Sequence, residues 1–97
     1  MKISEIQIIP IKPKDGLVAF ASFVIDEAVY CGSVAIMTRP NGDYRLLYPT
    51  KKISGRDINL YYPINKDVGV AIQEAVITKY EDVMKDNAND RYGSFKP

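Results

Sequence analysis

The residues best equipped to do chemistry lie in one short stretch, Tyr48-Pro49-Thr50-Lys51-Lys52-Ile53-Ser54-Gly55-Arg56-Asp57. Cations stand there beside hydroxyls and an aromatic ring. Lysine and arginine displace the counterions around a phosphate backbone, and hydroxyls such as Thr50 and Ser54 donate to phosphate oxygens. The chemistry this composition suits is non-covalent capture of a polyanion. Two readings stand side by side: a basic loop solvated at the surface, and a loop that binds phosphate. Tyr44, Tyr48, Tyr61 and Tyr62 carry the same alternative. Tyrosine near a strand end packs half-buried, whereas an exposed ring offers a stacking face to an unpaired base.

Covalent chemistry finds little to work with. The chain has no histidine, which removes Ser-His-Asp and Cys-His arrangements and histidine metal ligands. Its one cysteine, Cys31, sits in the apolar run Val29-Tyr30-Cys31-Gly32-Ser33-Val34-Ala35-Ile36 and reads as a small buried hydrophobe. A lone cysteine makes no intrachain disulfide, which favours a reducing compartment. No glycine loop leads into a lysine as a phosphate cradle would, and no spaced acidic loop suits calcium. Asp26-Glu27 and Glu81-Asp82 are adjacent in sequence, so their side chains diverge and read as solvated charges. The expectation is a protein that is not an enzyme and takes no cofactor, metal or small-molecule substrate.

Charge is nearly balanced overall, at +1, but unevenly spread. Residues 1–66 hold nine Lys/Arg against six Asp/Glu, and residues 67–97 hold four against six. From Arg39 to Arg56 the chain carries Arg39, Arg45, Lys51, Lys52 and Arg56 against Asp43 alone, a local +4. Such a patch attracts phosphate even on a nearly neutral molecule.

The elements that must hold this stretch fall into two kinds. Ile3 to Ile11 reads as a strand, with Ile6 and Ile8 on one face and Pro10 at its edge or end. Pro13-Lys14-Asp15-Gly16 is a turn. Leu17 to Ile25 alternates, with Leu17, Ala19, Ala21, Phe23 and Ile25 on one face. Val18, Phe20, Ser22 and Val24 make a second, also largely apolar face, so this strand is expected to be covered on both sides. Asp26-Glu27 breaks the chain, Val29 to Thr38 returns as a third strand, and Asn41-Gly42 marks a hairpin into Tyr44 to Tyr48. Pro49 to Ile64 reads as a loop with a short strand at Ile58 to Tyr62. Then Val68, Ile72, Ala75, Val76, Tyr80 and Val83 follow helical spacing. That helix is expected from about Lys66 to Met84 or Lys85, capped by Asn65 or Asp67. The fold class is α+β: an antiparallel meander of about four to five strands and a C-terminal amphipathic helix. Residues 1–85 form a single domain, and 86–97 a polar, flexible tail in which Tyr92 and Phe95 are possible anchors.

At 97 residues the chain suits one domain with a modest core, and pairing of copies is a common source of extra stability at this size. After Met1-Lys2 the sequence lacks the apolar run of a signal peptide, and nothing approaches the ~20 apolar residues of a membrane span. A cytoplasmic protein without membrane contact is expected.

Several elements in order resemble the SpoVG (stage V sporulation protein G) family. They are Lys2-Ile3-Ser4-Glu5-Ile6, then Ala19, Ala21, Ser22 and Asp26, then Pro49-Thr50-Lys51-Lys52, Gly55 and Asp57. Tyr62-Pro63-Ile64-Asn65, Ile72-Gln73-Glu74-Ala75-Val76 and Tyr80 complete the series. The likeness spans roughly residues 2–85. It implies a small homodimer tied to septation and sporulation control in bacteria, with site-preferring binding to DNA and RNA. Lys51 and Lys52 match the family's basic pair, and Arg56 lies in the glycine-bearing loop that follows. Two departures stand out: Tyr62 replaces the usual histidine, and Asn65-Lys66-Asp67-Val68-Gly69-Val70 lacks the serine-rich, arginine-bearing turn of relatives.

Two functions are therefore weighed. One is a homodimeric regulator that binds nucleic acid through Lys51, Lys52 and Arg56, helped by Lys66 and Arg45. The other is a protein-interaction module acting on a septation or regulatory partner through its sheet or aromatic tail, with no direct nucleic-acid contact.

Overall fold

A computed structural model describes residues 1–95, with side chains as far as Asp86. Strands β1 (Ile3–Lys14), β2 (Leu17–Ile25), β3 (Val29–Thr38) and β4 (Tyr44–Leu47) form one antiparallel sheet in the order β1-β2-β3-β4. This is the expected meander, and the fold is α+β. Its two tight turns use left-handed residues. Asp15 and Gly16 have φ of 52° and 89°, and Asp26 and Glu27 have 52° and 54°. Glycine and aspartate tolerate that region, and two-residue turns of this hand match the twist of the strands they join. Glu27 is less suited to it. The chain start secures that turn: the Asp26 amide donates to the Lys2 carbonyl at 2.7 Å, and the Lys2 amide donates to Asp26 Oδ1 at 2.6 Å.

Pairing continues further along β1 than Pro10 suggested, ending with Lys14 opposite Leu17. Irregularities rather than an early stop absorb the proline, with a register shift between Pro10 and Lys14. A second departure lies in β2. The pairing with β3 shifts between Leu17 and Ala19, and Val18 and Ala19 are both buried. Val18 shares a cleft with Tyr80 and Met84 of the helix, so it belongs to the covered face and not to the outer one that simple alternation gave it. One extra residue in one strand re-aims the side chains before it.

Helix α1 (Lys66–Phe95) lies across one face of this sheet. Asn65 caps it, its Oδ1 accepting from the Val68 amide at 3.1 Å. Ile72, Val76 and Tyr80 recur every four residues and are buried against Ala19, Ala21, Phe23, Val34 and Ile36. Tyr44 meets the Tyr80 ring edge-on, with centroids 5.3 Å apart. The helical backbone continues to Phe95, past the end expected at Met84 or Lys85. Between Asp86 and Phe95 there is no proline, and a helix already nucleated propagates through polar residues that a packing argument reads as tail. The proposed anchoring of Tyr92 and Phe95 lies outside the described side chains. Among the described residues no helix is long and apolar enough to cross a membrane.

The largest correction concerns residues 50–59, read from sequence as a loop with a strand starting at Ile58. They form a second, two-stranded sheet, β5 (Thr50–Ile53) and β6 (Arg56–Asn59). Ser54 and Gly55, with φ of 52° and 79°, make the turn. Ser-Gly at a hairpin tip serves the purpose that Asn-Gly signals more loudly, and so many charges beside it masked the strands.

Candidate nucleic-acid interface

The hairpin's register decides where its cations point. Lys51 pairs with Ile58 and Ile53 with Arg56, while Thr50 pairs with Asn59 and Lys52 with Asp57. Directly paired residues share a face, and neighbours along a strand alternate. Lys51, Ile53, Arg56 and Ile58 therefore occupy one face. Lys52 lies on the other, directly across from the Asp57 carboxylate. All eight residues of the two strands are exposed. Lys51 and Arg56 stand diagonally across the ladder, about 7–8 Å apart at their backbones, close enough for long side chains to act on neighbouring phosphates.

The five expected cations do not form one surface. Arg45 is exposed on β4 and pairs with Met37. Its neighbour Leu46 pairs with the fully buried Ile36 of the helix-covered face, so Arg45 points to the opposite side of the sheet. Lys66 opens the helix and lines a shallow cleft with Leu46, Tyr48, Val70 and Glu74. Arg45 and Lys66 thus lie on opposite sides of the sheet. Among the described residues the ion pair within 4.0 Å is Lys2 with Glu27, at 3.7 Å, so none of the five cations is held by a carboxylate. Lys52 has the nearest thing to a neutralising neighbour, its cross-strand partner Asp57.

The tyrosines divide in the same manner. Tyr48 and Tyr61 meet edge-on with centroids 5.7 Å apart, and the Tyr61 hydroxyl donates to the Gly32 carbonyl at 2.6 Å. That carbonyl sits beside Ser33, whose φ of 60° marks the irregularity in β3. Tyr61 therefore ties the segment after the hairpin back to the main sheet. The Tyr48 hydroxyl is buried without a hydrogen-bond partner among the described residues. Burial, and then the neighbouring Cys31, Tyr48 and Tyr30, push the Tyr61 phenol up to about 12. Burial also raises the Tyr48, Tyr80 and Cys31 groups, which leaves the thiol less able to form thiolate. Tyr44, Tyr48 and Tyr61 are spent on packing. Of the four tyrosines read as base platforms, Tyr62 alone is exposed, at 55%.

Sequence reasoning passed over the apolar partners of these cations. Ile53, Ile58, Leu60 and Ile64 are all exposed, Ile64 at 92%. The signal was present as one isoleucine two residues beyond a cation in each strand, Ile53 after Lys51 and Ile58 after Arg56.

Comparison with known proteins bears on the whole domain. A family model described as SpoVG matches residues 1–82. A putative septation protein SpoVG of Phytoplasma australiense is 24% identical over 91 residues, covering 94% of this chain and 95% of that protein. A putative septation protein SpoVG 2 of Listeria monocytogenes is 24% identical over 88 residues, covering 91% and 86%. One from Caldanaerobacter subterraneus is 22% identical over 89 residues, covering 92% and 98%. Identity this low leaves few shared residues, but the family model spans the chain from β1 to beyond Tyr80, the last buried residue of α1. This chain belongs to the SpoVG family.

Proposed function

We propose that this protein is a nucleic-acid-binding regulator acting in septation or sporulation control, and that it grips phosphates with the Lys51–Arg56 face of the β5–β6 hairpin. The observation that carries this reading is the register. It sets two cations on one exposed face, with no carboxylate paired to either among the described residues. A hairpin projecting from the body reaches into a groove or along a single strand more readily than a flat patch. Exposed Ile53 and Ile58 between the cations suit contact with sugar or base edges, and Tyr62 suits stacking. Septation enters from the names of the relatives.

The test is a fluorescence-anisotropy titration with DNA and RNA oligonucleotides at two ionic strengths. The Lys51→Ala/Arg56→Ala variant is expected to bind weakly, with its salt slope reduced by about 0.7–0.9 for each phosphate it no longer neutralises. Lys52→Ala, on the Asp57 side, is expected to change both less. Equal binding by wild type and the double variant would remove the site.

A second reading has its own support: the same face is half apolar, as a protein-contact surface is. On that reading the double variant Ile53→Ser/Ile58→Ser loses a protein partner in a pull-down, while nucleic acid binds weakly or not at all.

A further inference from the structure

Where the segment after the hairpin meets the main sheet and the start of α1, the side chains leave a cavity of about 100 Å³. Phe23 and Ile72 are its most buried walls, at 0% and 2% exposure, and Tyr62, 55% exposed, stands at its mouth beside Pro63 and Val68. Its polar atoms are nearly all out of use. The Tyr61 hydroxyl is engaged by the Gly32 carbonyl, the Tyr48 hydroxyl is sealed from solvent, and the Cys31 thiol is a weak partner. A group that enters must therefore present an edge with no donor or acceptor to desolvate.

Among nucleobases that edge is the C5–C6 side of a pyrimidine, which in thymine carries a methyl group. Size agrees. An apolar cavity of roughly 150 Å³ encloses a whole benzene ring, so about 100 Å³ takes the methyl-bearing side and leaves the carbonyls outside. The charge for a phosphate is next door. The cleft lined by Lys66 shares Tyr48 and Pro63 with the cavity as common walls, and Lys66 is exposed. Of the nearby carboxylates, Asp67 does not line that cleft, and Glu74 lies two turns further along α1. We propose that the cavity seats the methyl-bearing edge of an unpaired thymine, with Tyr62 against the ring and Lys66 on an adjoining phosphate. The inference rests on the nucleic-acid reading above and narrows it to single-stranded, thymine-containing DNA.

The test compares an all-thymine deoxyoligonucleotide with its all-uracil counterpart, which differs only in the methyl groups, by fluorescence anisotropy at one ionic strength. The thymine strand is expected to bind about fourfold tighter, the worth of one buried methyl group. Val68→Phe, which fills the cavity from its rim, is expected to bring the two affinities together while the uracil strand binds as before. Should Val68→Phe fail to fold, a photocrosslink from 5-iodouracil in the same strand decides, expected at Tyr62 or Cys31. Equal affinity for both strands, or a crosslink confined to β5 and β6, overturns the thymine seat and leaves the hairpin grip standing. Failure to bind either strand removes both, and leaves the cavity to an apolar side chain of a protein partner.

Discussion

The β1–β4 sheet and the β5–β6 hairpin are both antiparallel, and both reverse on left-handed residue pairs, Asp26-Glu27 in one and Ser54-Gly55 in the other. They differ in what lies against them. The sheet buries Ala19, Ala21, Phe23, Val34 and Ile36 under the helix, whereas every hairpin strand residue is exposed. An isolated two-stranded hairpin is marginal in water. This one is closed at its base by the Leu60 amide donating to the Pro49 carbonyl at 2.8 Å, and just beyond it Tyr61 bonds to Gly32 of the main sheet. Buried packing is thus concentrated in one region and the exposed cations of the proposed phosphate grip in the other. A surface freed from packing is free to carry cations that a core could not accept.

The largest test of that division is truncation on each side. Phe23→Ala, in the fully buried centre, is expected to cost about 3–5 kcal/mol in chemical denaturation. Ile58→Ala, on the hairpin, is expected to stay within about 0.5 kcal/mol. A comparable loss at both would show that the hairpin packs on the body after all.

The junction between the two regions comes next. Tyr61→Phe removes the bond to Gly32 and is expected to cost about 1 kcal/mol. Its pH dependence gives a second readout. The Tyr61 phenol has its folded value raised from 10.0 to about 12, so folding favours the neutral form. The stability this contributes is complete below pH 10 and is lost as pH rises from 10 to about 12. The alkaline decline should be shallower in Tyr61→Phe, though not abolished, because Tyr48 and Tyr80 are raised too. A cost of similar size, about 1 kcal/mol, is expected for Asn65→Ala, which deprives the helix of its cap, and is read as a lower melting temperature.

The same division explains what could be read from residues alone. Alternation in Leu17–Ile25 and Val29–Thr38 and the four-residue recurrence of Ile72, Val76 and Tyr80 reflect burial, and burial leaves a periodic mark. β5 and β6 are exposed on both sides, so no burial pattern announces them, and their charges read as loop. The register shift at Val18 was equally invisible, since it depends on pairing with β3 and not on local composition. Lys51, Lys52 and Arg56 were legible as a cluster because composition shows it. That Lys52 turns to the Asp57 side, and that Arg45 and Lys66 occupy opposite sides of the sheet, are consequences of register and topology.

The most direct measurement is an amide chemical-shift map recorded while a short single-stranded oligonucleotide is titrated into the isotope-labelled protein. Phosphate capture by the hairpin predicts the largest shifts at Lys51, Ile53, Arg56 and Ile58 and at neighbouring Tyr62, fading as salt is raised. Shifts confined to the outer sheet face or to the exposed residues of the helix, or none at all, would contradict it.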